Sequence, residues 1–221
     1  MVAVDVIRWF EDRARWWGPK GILHRLLEHA SYVGVALLVA TVAGVVLGVM
    51  AGRARRPART GRRLPGVVRL LGLVGLGFIV AALHPFRLWL VVVLLGVLAT
   101  GPVAGAVADG FASVDTDAID AADALGMSGR QRFAGVELRC ALPAIVSGLR
   151  AAVVRLVVIV AVASYADVGG LGRFVVEEER PGALAGALMV GVLALVADVL
   201  GSLVQRWVTP AGLRAAAHAR H

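Results

Sequence analysis

Five apolar stretches, each close to the ~20 residues that cross a hydrocarbon core as a helix, dominate this chain and restrict what it can become. They run about 31–51, 66–83, 86–108, 144–166 and 183–206. Open strands would leave unpaired backbone in lipid, so helices are the form available to them. Hydrophobic residue types make up 59% of the 221 residues, against roughly 45–50% in an average soluble domain. One soluble core cannot hide that surface. The expected fold is an all-α membrane protein with five transmembrane helices. It divides into an N-terminal interfacial segment at 1–30, a membrane domain at 31–212 and a short tail at 213–221. That length suits one membrane domain and leaves no room for a separate nucleotide-binding domain.

Arginine sets the orientation. The loop after the first span carries Arg53, Arg55, Arg56, Arg59, Arg62 and Arg63, a density that marks the cytoplasmic side. The N-terminus and His84-Pro85 then fall outside, 109–143 inside, 167–182 outside, and the tail with Arg206, Arg214 and Arg220 inside. The formal charge of +8 is therefore read as membrane topology. No basic stripe interleaves with aromatic residues as a nucleic-acid groove requires, and no nucleic-acid partner is expected. Residues 5–29, with Trp9, Trp16 and Trp17, read as an amphipathic helix on the outer interface, the alternative being a mobile tail. The acids and tryptophans there do not resemble a cleaved signal peptide. Cys140 is the single cysteine, which excludes an internal disulfide and a cysteine-cluster zinc site. The histidines are scattered, and no metal site is expected. Small residues at four-residue spacing (Gly44, Gly48 and Gly52; Gly101 and Gly105; Gly182 and Gly186) let helix backbones approach closely, most simply as bundle packing.

The longest polar stretch, 109–143, is the informative one. Asp115 or Asp117 can cap a helix start, and the acids that follow suit its dipole. Ala121, Ala122 and Ala124 give a smooth, approachable face, and Gly126 is placed to end the helix in a left-handed turn. A second helical run covers 130–138, and Pro143 falls at the first turn of the fourth span, where proline is tolerated. Two short helices on the cytoplasmic face leading into a span suit docking to a cytoplasmic partner.

Asp120-Ala121-Ala122, three residues, Gly126, nine residues and Val136-Glu137-Leu138 resemble the "EAA" loop of bacterial binding-protein-dependent ABC importers. Leu138 to Arg150, with Leu142-Pro143 and Gly148, is similar to the matching stretch of glycine betaine/carnitine/choline permeases. Gly169-Gly170-Leu171-Gly172, Asp198 and Trp207-Val208-Thr209-Pro210 also sit as in that osmoprotectant group. The resemblance runs from about 30 to 212. It implies a type I importer permease fold with 115–128 as the cytoplasmic coupling helix, whose contact residues would be Asp117, Asp120, Ala121, Ala122, Gly126 and Met127. It further implies two ATP-binding cassette subunits carrying ATP and Mg, a second permease of the same or a homologous kind, an external substrate-binding protein, a bacterial inner membrane, and no cofactor held by this chain. The sequence departs from the pattern in four places. Asp120 stands for the usual Glu, Arg139 replaces the first proline, and Gly72-Leu73-Val74-Gly75-Leu76-Gly77 replaces a polar stretch in the second span. Asp167-Val168 replaces a Gly-Ala pair. The last two changes fit a subunit paired with a different permease.

Arg150, Arg155 and Asp198 fall inside predicted spans, where an ionisable residue is a functional candidate by default. At 1.5 Å per residue, Arg150 and Arg155 lie roughly 9 and 16 Å in from Ala144, and Asp198 roughly 12 Å in from Arg206. The two arginines point about 140° apart, so Asp198 can face only one of them. A gate or pathway pair and an ion pair joining the last two helices are both compatible with this. Tyr165 is a cation–π candidate near the outer end of a path, and Asp167, Gly169, Gly170 and Gly172 form the outer loop. Glu177-Glu178-Glu179 reads as a solvated face or a contact for an external protein. No G-x-S-x-G, matched Ser/His pair or paired catalytic aspartates point to an intramembrane enzyme, so no catalytic residue is expected. An ATP-independent carrier calls for an inverted repeat or interrupted spans, and neither is found. Within importers, a methionine- or phosphonate-type permease is the alternative to quaternary-ammonium osmoprotectants.

Overall fold

The computed structural model describes residues 2–53, 88–166 and 168–209. The expected second span (66–83), most of the arginine-rich loop, His84-Pro85, Asp167 and the tail 213–221 lie outside the described residues. Within them the chain is helical: α1 (Val2–Glu11), α2 (Ile22–Arg53), α3 (Leu88–Ala112), α4 (Thr116–Ala124), α5 (Gly129–Arg132), a π-helical segment (Phe133–Glu137), α6 (Leu138–Ala163), α7 (Gly172–Glu177) and α8 (Arg180–Val208). Among the described residues, four helices are long and apolar enough to cross a membrane: Ile22–Gly52, Val91–Ala112, Gly129–Ala163 and Arg180–Val208. They correspond to the first, third, fourth and fifth expected spans.

α2 packs chiefly along α3, α3 along α6, and α6 along α8. The α2–α3 seam is built on glycine. A Cβ at Gly44, Gly48 or Gly52 would come within 2.7, 2.5 or 2.8 Å of the side chains of Val103, Val107 and Phe111. Backbone contact at that range is what small residues at four-residue spacing allow. Gly105 does not do this, since nothing among the described residues lies within 4 Å of a Cβ there. Gly186 does, against Phe174 of α7. Two apolar clusters fill the bundle. One joins Tyr32, Ala36, Val92, Leu95, Leu156 and Val160. The other joins Ala40, Val103, Val107, Phe111, Ala141 and Ile145.

The N-terminus differs from the single amphipathic helix expected at 5–29. α1 ends at Glu11, Asp12 caps a short 3-10 turn at Arg13–Arg15, and Gly18 takes φ 96°. That left-handed angle followed by Pro19 is a break most side chains resist. α2 then starts at Ile22 rather than Ser31. Its early charges are tolerated because they are paired, as described below. α1 is no loose tail: Val6 and Trp9 bury against Leu171, Phe174 and Ala185, with the Trp9 and Phe174 rings edge to face at 5.5 Å.

Pro143 is also displaced from its expected place. It is the sixth residue of α6 rather than part of its first turn, because the helical run continues upstream through α5 and the π segment instead of starting afresh at the membrane.

Candidate coupling surface and intramembrane charges

α4 is bounded by local signals that the sequence carries. The Asp115 carboxylate accepts from the backbone N–H of Asp117 at 3.0 Å. At the other end the N–H of Gly126 donates to Asp123 O at 3.0 Å and that of Met127 to Ala122 O at 3.1 Å. Gly126 has φ 72°, the left-handed residue that this helix-ending pair of bonds requires. α5 opens with a reciprocal cap, in which Ser128 N–H donates to Gln131 Oε1 and Gln131 N–H to Ser128 Oγ, a device that S-x-x-Q spacing provides.

α4 presents one stripe outward. Asp117, Asp120, Ala121, Ala124 and Leu125 are all exposed, at i, i+3, i+4, i+7 and i+8, one face of a helix. Leu125 is 82% exposed. Two contact residues expected from the sequence point elsewhere. Ala122 is 3% exposed and turns into the protein, so it cannot touch a docked partner. The Met127 side chain lies over Gly135 of the π segment. Leu125 and Ala124 take their place on the outward face, and the 3.6-residue period starting from Asp117 would have found them.

Arg132 ties α4 to the membrane helix. Its Nη1 donates to both carboxylate oxygens of Asp123 at 2.8 and 2.7 Å, and its Nε donates to Glu137 Oε1 at 3.1 Å. Charge-assisted, forked bonds of this kind fix geometry as well as attract. Glu137 is a buried acid in the π segment. Phe133 stacks on Phe111 at the end of α3, with ring centroids 5.6 Å apart and planes 3° from parallel. Nothing in the spacing marked Arg132, since a nine-residue pairing with Asp123 closes only after the turn at Gly126.

Of the intramembrane charges, Asp198 faces Arg150. Arg150 Nε and Nη2 donate to the two carboxylate oxygens at 2.6 and 2.7 Å, joining α6 to α8. Gly201 leaves room for this: a Cβ there would sit 2.9 Å from Arg150 Cγ. Arg155 is exposed, and no ion pair reaches it among the described residues. It also lies farther than Asp198 from the α4 end of the bundle. Val157, two residues on, has its carbonyl 3.1 Å from Nε2 of His29 near the start of α2. Tyr165 is 61% exposed and stands apart from the Arg150–Asp198 pair.

The 168–172 loop is clamped by Glu28 of α2. Glu28 accepts from Gly170 N–H at 2.8 Å, Tyr32 Oη at 2.9 Å and Arg25 Nη1 at 3.2 Å. Gly169 lies flat on the same carboxylate and Gly172 on Ala161 O and Ser164 Oγ, where side chains would collide. Gly170 has φ 92°. Glu177 and Glu178 are not simply a solvated face. Glu177 pairs with Arg173 at 2.6 Å and Arg25 at 3.8 Å, and Glu178 pairs with Arg15 at 3.2 Å.

Comparison with known proteins decides what this bundle is. The family described as "Binding-protein-dependent transport system inner membrane component" matches residues 36–211. The chain belongs to this family. It is thus a multi-pass inner-membrane permease component of ABC importers, which work with an ATPase and a binding protein. Relatives include the choline transport system permease protein OpuBB of Bacillus subtilis, 26% identical over 87% of this chain and 91% of that one. The osmoprotectant import permease protein OsmW of Salmonella typhimurium is 29% identical over 96% and 100%. The carnitine transport permease protein OpuCB of Listeria monocytogenes is 30% identical over 81% and 86%. In fold the permease is similar to the inward-facing MetNI methionine ABC transporter, with TM-score 0.68, 20% identity, and coverage of 86% of this chain and 96% of that one. An amino acid ABC transporter matches with TM-score 0.54 and 18% identity, covering 84% and 92%.

Proposed function

We propose that this permease moves quaternary-ammonium osmoprotectants (glycine betaine, carnitine, choline or proline betaine) inward, and that α4 is the helix through which ATP hydrolysis on a partner drives it. The outward stripe of Asp117, Asp120, Ala121, Ala124 and Leu125 carries the coupling reading. Two small side chains between acids and a projecting leucine fit a helix seated in a groove of another protein. The Arg132 bridge means that a push on α4 is delivered to the base of α6. The cargo reading rests on the names of the relatives and on the Leu138–Arg150 and Gly169–Gly172 stretches. The methionine reading is supported only by fold likeness at 20% identity.

In the assembled transporter two ATPase subunits serve two permeases, the second identical or homologous, with an external binding protein presenting cargo. ATP and Mg belong to the ATPases, and this chain performs no covalent chemistry of its own. The N-terminus lies outside and the C-terminus in the cytoplasm. The Arg150–Asp198 pair joins the last two helices, while Arg155 and Tyr165 are the pathway candidates.

The test is ATPase activity of the complex reconstituted with its binding protein. Glycine betaine, choline and methionine are compared for the wild type and Ala121→Trp. Stimulation by the first two and its loss in the variant, with ATP still bound, is the expected result. Stimulation by methionine alone would move the cargo assignment, and full coupling in Ala121→Trp would remove α4 from its role.

A further inference from the structure

A polar cavity of about 420 Å3 opens between α6 and α8, lined by Arg150, Ser202, Gln205, Arg206 and Thr209. It lies at the α4 end of the bundle, because Gln205 Nε2 donates to Pro143 O at 3.4 Å and Pro143 is in the second turn of α6. Among the described residues, two guanidiniums and one carboxylate meet here. Asp198 occupies Nε and Nη2 of Arg150, a lining residue whose Nη1 has no hydrogen-bond partner among the described residues. Arg206 is exposed and makes no ion pair among the described residues. The three charges leave the cavity with a single surplus positive charge.

The surroundings say what kind of anion would reach it. Trp207, 87% exposed, sits beside Arg206 at the end of α8, the position of an interfacial tryptophan. Along α8, running away from the cavity into the membrane, Val196, Val199, Leu200, Leu203 and Val204 are 45–57% exposed or close to it, at 46%, 48%, 57%, 45% and 53%. A basic cavity at headgroup level continuing into an exposed aliphatic surface matches the two halves of a phospholipid. It also resolves the position of the Arg150–Asp198 pair. Its side chains are 33% and 39% exposed within membrane helices, where ionised groups need polar surroundings.

We propose that this cavity binds the phosphate of an anionic phospholipid carrying one net negative charge. The phosphodiester meets Arg206 and Nη1 of Arg150, and the acyl chains lie along α8. Ser202, whose hydroxyl proton goes to Val199 O at 2.7 Å, shapes the floor rather than donating. The site is independent of the cargo assignment and of α4.

The experiment uses the full permease–ATPase complex in nanodiscs of phosphatidylcholine with one third phosphatidylglycerol. The complex is transferred to detergent and its retained lipids are counted by native mass spectrometry. Phosphatidylglycerol should be retained in preference to phosphatidylcholine. Arg206→Gln should cut that preference about fivefold, the effect of one cation near an anionic headgroup. Ser202→Leu, which narrows the cavity and makes its wall apolar without changing charge, should weaken it, and Arg180→Gln at the opposite end of α8 should leave it intact. Arg206 is on the surface, so its variant carries the test even if Ser202→Leu fails to assemble. Equal retention of the two lipids, or an unchanged preference in Arg206→Gln, overturns the proposal. Displacement of phosphatidylglycerol by millimolar inorganic phosphate also overturns it, by assigning the cavity to a soluble anion.

Discussion

Substituting Gly48 by alanine adds one methyl group at the tightest point of the α2–α3 seam. The new Cβ would lie 2.5 Å from Val107 Cβ and 2.7 Å from Ala104 O. A comfortable contact needs roughly 3.5–4.0 Å, so the helices would have to part by about 1 Å. Because Ala104 O is backbone, no side-chain rotation can absorb the clash. Parting the helices there also loosens the Gly44–Val103 and Gly52–Phe111 contacts on either side. Overpacking of this kind destabilises by about 1–3 kcal/mol, of which alanine's better helix propensity recovers at most about 1 kcal/mol. Gly105→Ala in α3 is the matched control, since nothing lies within 4 Å of its Cβ and it keeps only the propensity gain. Thermal unfolding of the full permease in detergent, followed by helical circular dichroism, should place Gly48→Ala well below the wild type and Gly105→Ala at or slightly above it. Equal melting of the two variants would refute the reading of α2–α3 as a glycine-dependent seam.

Three further outcomes follow from the geometry. Ala121→Trp should leave the permease folded while breaking cargo-stimulated ATPase activity, whereas Ala122→Trp should lower helical content and yield, because Ala122 is buried. The two are separated by size-exclusion profile and ATPase assay. Asp198→Asn should reduce recovery of intact complex from the membrane without changing the cargo concentration for half-maximal stimulation; normal assembly with altered cargo affinity would assign the pair to the pathway instead. Glu28→Gln should loosen the 168–172 loop, since an amide cannot accept from Gly170 N–H, Tyr32 Oη and Arg25 together. A loss of about 1–3 kcal/mol is expected for unmade bonds of this type, seen as faster hydrogen exchange at Gly170 and Leu171.

The apolar runs and the arginine bias made the helical membrane bundle legible. Asp115, Gly126 and the alanines made α4 legible, because caps and left-handed turns are written in neighbouring residues. Glycines four apart announced the α2–α3 seam but equally Gly105, which nothing among the described residues approaches, since spacing shows which face is smooth and not what approaches it. What the sequence could not show are contacts that close over long stretches of chain: Glu28 on Gly170, Arg15 on Glu178, Arg150 rather than Arg155 on Asp198. Charges at the start of α2 suggested an interfacial helix ending before Ser31. The helix instead begins at Ile22, because Arg25 and Glu28 satisfy each other and the 168–172 loop.

Arg132 tests whether α4 and α6 move as one. Between them lies the π segment, where the helical ladder carries one residue too many per turn; such segments are rare and cluster at functional positions. A bare connection through Phe133–Glu137 could bend and dissipate a displacement of α4. Arg132 opposes that by holding Asp123 at the end of α4 and Glu137 at the end of the π segment with one planar group. Lysine could reach either acid but lacks the fork to hold both. Arg132→Gln should therefore leave ATP binding, complex assembly and helical content near wild type while sharply lowering the cargo moved per ATP hydrolysed. Arg132→Lys should fall between the two. A purely structural role would instead lower melting temperature and yield in step with transport, leaving the ratio of cargo to ATP unchanged. That ratio, measured in proteoliposomes with trapped ATP, distinguishes a transmission element from a stabilising one, and an unchanged ratio in Arg132→Gln would end the case for Arg132 as the link.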